Sequence, residues 1–103
     1  MLIFNTTLHI EDSIHDKCLE YLIQVYIPQS LSGDLLEQPS LARIERQHEE
    51  SGTSYAMQFK TQNIDSLNKW ADEIGKCLQQ QLVEKFGNKV TGFATLLEEI
   101  PLQ

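Results

Sequence analysis

The clearest pattern in the chain is an alternation of side chains between residues 53 and 61. Tyr55, Met57 and Phe59 fall on one side of this stretch, and smaller or polar residues fall between them. A repeat of two residues is the period of a β-strand that buries one face. The stretch from Gly52 to Thr61 is therefore predicted to be a central strand of a sheet.

Three further strands are predicted from similar patterns. Residues 2–10 alternate with a nearly unbroken apolar face, as in a half-buried strand. Residues 40–48 carry polar side chains on both faces, which favours an edge strand, and the loop 49–52 joins them to the central strand. Residues 90–100 carry large apolar side chains on both faces, so the orientation of this last strand stays open.

A first helix is predicted from Ile14 into the twenties, where apolar residues recur at helical spacing. Ser13 and Asp16 resemble a capping box at its start. Pro28 lacks an amide donor and disfavours helical geometry at Ile27, so we expect a kink or a stop there.

A second helix is predicted from the apolar stripe that runs between Leu67 and Phe86. Asn63 or Asp65 can cap its first turn, and Gly87 can end it. Gly75 lies inside this helix, where glycine is unfavourable, and it suggests that another group packs closely against the backbone there.

The element order β-α-β-β-α-β predicts a single α+β domain over residues 1–103. Two β-α-β units joined by a hairpin form the split arrangement of the ferredoxin-like fold. The predicted four-stranded antiparallel sheet has the order 4-1-3-2, with both helices on one face. A chain of this length has room for one hydrophobic core.

Composition narrows the classes of partner. The net charge is −7, so phosphate backbones and anionic membranes are repelled, and neither nucleic acid nor membrane is expected to bind. No apolar run approaches the length of a membrane span. Cys18 and Cys77 lack a paired spacing and are expected to be reduced, half-buried thiols. We expect a cytoplasmic protein.

The sheet face opposite the helices is predicted to be mixed in character. Asn5, Thr7 and Gln58 share it with small Ala56. It can be solvated, as antiparallel sheets tolerate, or it can pack against the same face of a second copy. Uncharged polar groups around a small residue favour the second alternative, a homodimer formed through the sheet.

Several segments together resemble one known family over nearly the whole chain. They are Ile3-Phe4-Asn5-Thr6-Thr7, the stretch from Ile14 to Leu22, Tyr26-Ile27-Pro28, the stretch from Gly52 to Phe59, and Phe86-Gly87. The sequence is similar to the bacterial domain of unknown function 4286, a family common in Bacteroidetes. The resemblance implies a dimeric α+β barrel like that of the antibiotic-biosynthesis monooxygenases, and it implies no settled activity.

The candidate ligand-binding or interface residues are Asn5, Thr7, His15, Tyr26, Tyr55 and Gln58. His15 begins the first helix, where it can contact a ligand at a pocket mouth or simply pack. Tyr26 and Tyr55, with Trp70, can line a space between helices and sheet or belong to the core. The His and Asp residues near the N-terminus lack metal-ligand spacing, and neither a metal nor a cofactor is expected.

Two functions are consistent with these features. The first is a small homodimeric binding or interaction module, because no strong catalytic motif is present. The second, which only the resemblance to the monooxygenases implies, is a cofactor-free, monooxygenase-like or isomerase-like enzyme that acts on a small aromatic molecule. In the second case Asn5, His15, Tyr26 and Tyr55 would orient the substrate in a pocket between helices and sheet.

Overall fold

Four antiparallel strands form one sheet in the order β2-β3-β1-β4 in the computed structural model, which describes residues 1–45 and 51–103. The strands are β1 (Leu2–Ile10), β2 (Glu37–Arg43), β3 (Thr53–Thr61) and β4 (Val90–Glu98). β1 pairs with both β3 and β4 along its whole length. The predicted strand order and the α+β ferredoxin-like class are confirmed.

The first helical segment, residues 15–30, consists of α1 (His15–Tyr21), a π-helical turn (Leu22–Tyr26) and α2 (Ile27–Ser30). Pro28 does not stop this segment, which continues to Ser30, so the stop, one of the two alternatives expected at this position, does not occur. The wide π turn directly before Pro28 changes the backbone spacing where the missing amide and the ring would disturb a regular helix. The predicted capping box was also wrong, because Ser13 lies in a 3-10 turn and caps nothing.

The second helical segment, residues 64–86, repeats the same construction. It consists of α3 (Ile64–Trp70), a π-helical turn (Ala71–Gly75) and α4 (Lys76–Phe86). Asn63 caps it as expected, because its side-chain oxygen accepts a hydrogen bond from the amide of Ser66 at 2.9 Å. Gly87 ends it with a φ of +60°, a conformation that glycine adopts readily.

The edge strand β2 differs from its predicted bounds. β2 begins at Glu37, earlier than the predicted Ser40, and its pairing with β3 is irregular between Glu37 and Ser40. Pro39 lies in that irregular part, where a missing donor costs little at a sheet edge. β2 ends at Arg43; residues 46–48 of the predicted strand and residues 49–50 of the predicted loop lie outside the described residues.

The register of β4 settles the orientation that the sequence left open. Leu8 pairs with Gly92 and Thr7 pairs with Phe93. Directly paired residues of antiparallel strands point to the same face. Gly92 and Ala94 therefore lie on the helix side of the sheet, and Phe93, Thr95 and Leu97 lie on the opposite side.

The core lies between the helices and one face of the sheet. Tyr55, Met57 and Phe59 of β3 are buried there, as the alternation predicted, and Leu8 and Ile10 of β1 are buried beside them. The helices complete the core with Cys18, Leu22, Tyr26, Leu67, Trp70, Leu78, Leu82 and Phe86. The side chains of Thr91 to Glu98 in β4 are all exposed, so the helices leave this edge of the sheet uncovered.

Trp70 joins the two helical segments to the sheet. Its ring packs edge-on against Phe4 at a centroid distance of 5.6 Å, and its Nε1–H donates to the carbonyl of Ser30 at 2.9 Å. A Cβ on Gly75 would lie 2.6 Å from this ring, which is too close for any real contact. Gly75 is thus needed where Trp70 crosses the helix backbone, and the close packing expected at this position is present.

We predict that Gly75→Ala destabilises the fold. In an exposed helix this change stabilises by about 1 kcal/mol, but here the new methyl group must displace a fixed indole ring. The expected net loss in unfolding free energy is about 1–2 kcal/mol, as for other overpacked cores. Urea denaturation measures it, with Lys76→Ala at the exposed neighbouring position as the control; a stabilised Gly75→Ala protein would contradict the packing.

Candidate functional site

The sheet separates the six candidate residues into two groups of three. On the face away from the helices, which we call the open face, lie Asn5, Thr7 and Gln58. On the helix side lie His15, Tyr26 and Tyr55. The arrangement predicted for an enzyme, with Asn5 beside His15, Tyr26 and Tyr55, is therefore wrong, because the backbone of the sheet stands between Asn5 and the other three.

The three open-face candidates form one hydrogen-bonded chain. The Nε2 of Gln58 donates to Oδ1 of Asn5 at 3.2 Å, and the Nδ2 of Asn5 donates to Oγ1 of Thr7 at 3.2 Å. Asn5 is only 9% exposed although no helix covers it. The neighbouring strands thus hold these groups in place, and the centre of the open face is polar, uncharged and ordered.

Apolar side chains on β4 surround this polar centre. Phe93 is 65% exposed and Leu97 is 41% exposed. At one margin Lys60 forms an ion pair with Glu99 at 2.7 Å, and the hydrogen bond and charge of the Lys60 ammonium lower the pKa of the Glu99 carboxyl. The open face therefore combines an uncharged centre, exposed apolar groups and a neutralised charge pair.

His15 and Tyr55 form a second polar group, on the helix side. The Nε2 of His15 and the Tyr55 hydroxyl lie 2.6 Å apart, and Nδ1 lies 2.9 Å from Oδ1 of Asp16. If the hydroxyl donates to Nε2, the Nδ1–H donates to the carboxylate. Both ring nitrogens are then engaged, so His15 positions Tyr55 and offers no free lone pair for a general base.

A cavity of about 300 Å³ lies between the second helical segment and strands β1 and β4. Tyr26 and Trp70 line it, as expected for a space between helices and sheet, whereas Tyr55 and His15 do not. Its other walls are built from Phe4, Thr6, Leu8, Gly75, Gln79, Leu82, Val83, Gly87, Val90, Thr91, Gly92, Phe93 and Ala94. Only one of the six candidates therefore reaches this cavity.

Small residues create the floor of this cavity. Thr6 of β1 pairs with Ala94 of β4, and Gly92 follows on the same face. The side chains of Thr6 and Ala94 are too short to fill the space below α4, whereas the Leu8 side chain packs against Gly92, where an added Cβ would lie 2.8 Å from it. Sequence reasoning missed this floor because it depends on the face to which β4 turns, and alternating small residues at 92 and 94 were the one signal in the sequence.

The described residues contain no other obvious centre of chemistry. Within residues 1–45 and 51–103, no group of three or more His, Cys, Asp or Glu side chains could hold a metal ion. Burial raises the pKa of the Cys18 thiol to about 11, so this thiol stays protonated and unreactive at neutral pH. Cys77 is exposed, not half-buried as expected.

We predict that Tyr55→Phe lowers the unfolding free energy by about 1 kcal/mol, because it removes the hydroxyl bonded to His15. Tyr21→Phe is the matched control, since the Tyr21 hydroxyl makes no hydrogen bond to a described residue. Urea denaturation of both variants at one protein concentration measures the difference. Equal stabilities would show that the 2.6 Å contact contributes nothing.

We predict a larger loss, about 1–2 kcal/mol, for Asn5→Ala, because this change leaves both Gln58 and Thr7 without their shared partner on a largely buried site. The control is Gln80→Ala, which removes a similar amide from an exposed pair with Glu84. The same urea titration applies. A loss no greater than that of the control would contradict an ordered polar centre.

Solved structures of the same fold are found among proteins of low sequence identity. An ethyl tert-butyl ether D (EthD) family protein from Bacillus halodurans C-125 superposes with a TM-score of 0.68 at 16% identity, over 97% of this chain and 100% of that chain. A dimeric ferredoxin-like protein from an uncultured marine organism superposes with a TM-score of 0.62 at 14% identity, over 98% and 97%. At these identities the likeness establishes the fold alone.

The sequence comparisons give a family and no characterised relative. None of the curated proteins matches the chain. In the part of the chain that the structure describes, no helix is long and apolar enough to span a membrane. The model of the domain of unknown function DUF4286 matches residues 1–100, and the chain therefore belongs to that family.

Proposed function

We propose that this protein is a binding module that works as a homodimer, with the open faces of two copies packed together. The observation that carries the proposal is the chain of hydrogen bonds through Asn5, which is ordered and largely buried on a face that no helix covers. Protein interfaces combine an apolar area with direct hydrogen bonds and bridging water, so an ordered polar centre of this kind suits one.

The chemistry of the face supports a second copy as that partner. Charged residues are depleted at the centres of interfaces, and aromatic residues are enriched. Here the centre is uncharged, Phe93 lies exposed beside it, and the Lys60 charge is already paired with Glu99. A face with an uncharged centre can approach an identical face, whereas the whole chain, at −7, would repel its copy if charge were spread evenly.

The size of the face also supports a dimer. Nine-residue strands extend for about 30 Å and four strands span about 19 Å, so each face covers about 550 Å². Two such faces bury about 1,100 Å², which clears the roughly 1,000 Å² expected for a specific interface. The marine structural neighbour is itself described as a dimeric ferredoxin-like protein.

The same proposal includes the cellular location of the protein and its other possible partners. A net charge of −7 and free thiols at Cys18 and Cys77 support a cytoplasmic location and argue against nucleic acid as a partner. A small molecule remains a candidate ligand because most of the cavity lies on the helix side of the sheet. Phe93 and Thr91 border both the cavity and the open face.

The cavity favours a second candidate function, a monooxygenase-like or isomerase-like enzyme for a small aromatic molecule. Its lining combines aromatic and aliphatic side chains with the uncharged polar groups of Thr6, Gln79 and Thr91, which suits such a substrate. Among the described residues that line it, however, none carries a carboxylate, an amine or an imidazole. Among the described lining residues, Tyr26 is the side chain that could act as an acid or base, but burial raises the pKa of its hydroxyl, so it is not a base at neutral pH and binding is better supported than turnover.

We predict that the protein sediments at twice its 11.8 kDa protomer mass at micromolar concentration. Leu97→Asp is expected to raise the dimer dissociation constant at least tenfold, because it buries two unpaired carboxylates, one from each copy, in the interface. Sedimentation equilibrium over a concentration series measures both quantities.

Ile23→Asp is the matched control, because Ile23 is an exposed apolar residue on the first helical segment, away from the open face. It should leave the dissociation constant unchanged. Circular dichroism melts confirm that both variants fold. A monomeric wild-type protein, or equal dissociation constants for the two variants, would refute the proposed interface.

A further inference from the structure

Tyr26 lines the cavity, and its hydroxyl is the polar group of this side chain that a ligand could meet. Tyr26 is 6% exposed, and its hydroxyl makes no hydrogen bond to any residue that the structure describes. Polar side-chain atoms that are sealed from solvent all have partners in the described residues. The hydroxyl therefore reaches open space, and the space that Tyr26 lines is the cavity beneath α4.

Hydrogen bonds hold the backbone of Tyr26 and the ring of Trp70 in place. The Oγ of Ser30 donates to the Tyr26 carbonyl at 2.8 Å, and the Nε1–H of Trp70 donates to the Ser30 carbonyl at 2.9 Å. The Trp70 ring is held in turn against Phe4 and over Gly75. The Tyr26 backbone and the Trp70 ring are thus held in place before any ligand arrives, which lowers the entropic cost of binding.

The lining selects against charged ligands. The described residues around the cavity include no charged side chain, and moving an ion from water into such a site without a partner is costly. Burial, together with nearby Tyr21, raises the pKa of Tyr26, so its phenol stays protonated at physiological pH. It can therefore donate its proton to an acceptor on the ligand.

The volume limits the size of that ligand. An apolar cavity of about 150 Å³ holds benzene, so the cavity of about 300 Å³ has room for one or two aromatic rings. Faces of Phe4 and Trp70 provide aromatic contacts for such rings.

We propose that this cavity binds an uncharged molecule with one or two aromatic rings and a single acceptor oxygen, which receives the hydrogen bond of the Tyr26 hydroxyl. The assignment deepens the ligand-binding part of the proposed function. It does not depend on the dimer, because the cavity and the centre of the open face lie on opposite sides of the sheet.

Trp70 provides a direct probe, because it is the single tryptophan of the chain and lines the cavity. Its indole N–H gives one cross-peak in a ¹H–¹⁵N spectrum, and an aromatic ring bound nearby shifts it. Three probes share one ring system: 2-acetylnaphthalene has a carbonyl acceptor, naphthalene has none, and 2-naphthoate carries a charge. We expect 2-acetylnaphthalene to bind more tightly than naphthalene, and 2-naphthoate to bind most weakly.

Tyr26→Phe removes only the hydroxyl and should weaken 2-acetylnaphthalene about threefold to tenfold, the range for one hydrogen bond, while leaving naphthalene unchanged. Tyr21→Phe, on the same helical segment but outside the cavity, should change neither. Ala94→Leu fills the floor and should weaken both neutral probes. These results would support the site.

Three outcomes would overturn the inference. The first is an unchanged indole cross-peak with both neutral probes, and the second is equal weakening of both neutral probes by Tyr26→Phe. The third is binding of 2-naphthoate as tight as that of 2-acetylnaphthalene. The dimer proposal is judged by sedimentation without ligand, so failure of one proposal is distinguishable from failure of the other.

Discussion

The structure depends on one constraint: two helical segments cover a single face of a four-stranded sheet. The alternation in β1 and β3 sends Leu8, Tyr55 and Phe59 toward the helices and leaves a polar set on the other side. Burial of the apolar set stabilises the protomer. The same alternation places Asn5 and its partners on the uncovered face. The pattern that buries the apolar residues on one side therefore also decides which residues form the open face.

Incomplete cover on the helix side has a separate consequence. The helices pack over β1 and β3 and leave β4 exposed, and the short side chains of Thr6 and Ala94 leave a cavity below α4. Both helical segments contain a π-helical turn, and Tyr26 and Gly75 are the last residues of those turns. π-helical turns occur frequently at functional sites, and here they lie beside the cavity that Tyr26 and Trp70 line.

Much of the fold followed from local patterns. The alternation at residues 53–61 gave the correct face for Tyr55 and Phe59, and the helical stripe gave the correct buried set from Leu67 to Phe86. Predictions from the properties of single residues were less reliable where the surrounding structure accommodates those residues. Pro28 was expected to kink or stop a helix, but the helix does not stop because the preceding π turn accommodates Pro28, and β2 begins earlier because its irregular pairing around Pro39 tolerates proline.

The sites were harder to predict, for a physical reason. The hydrogen bonds of Asn5 and Gln58 follow from the pairing of two strands, so their proximity was predictable once the sheet order was known. The bond between His15 and Tyr55 joins residues 40 positions apart through the way a helix sits on a sheet, and no periodicity encodes that distance. Predicting the cavity required knowing which side chains of β4 face the helices. The sequence did not show this, because large apolar residues lie on both faces of that strand.

The central claim is that the open face is covered in solution whereas the outer surface of the helices is not. Methyl relaxation by a soluble gadolinium chelate tests this directly, because Leu97 on the open face and Ile23 on the first helical segment have similar exposure in the protomer. The account predicts strong relaxation of the Ile23 methyl groups and protection of those of Leu97 at concentrations where the dimer forms. Equal relaxation of both would show that the open face meets only water, and would contradict the account.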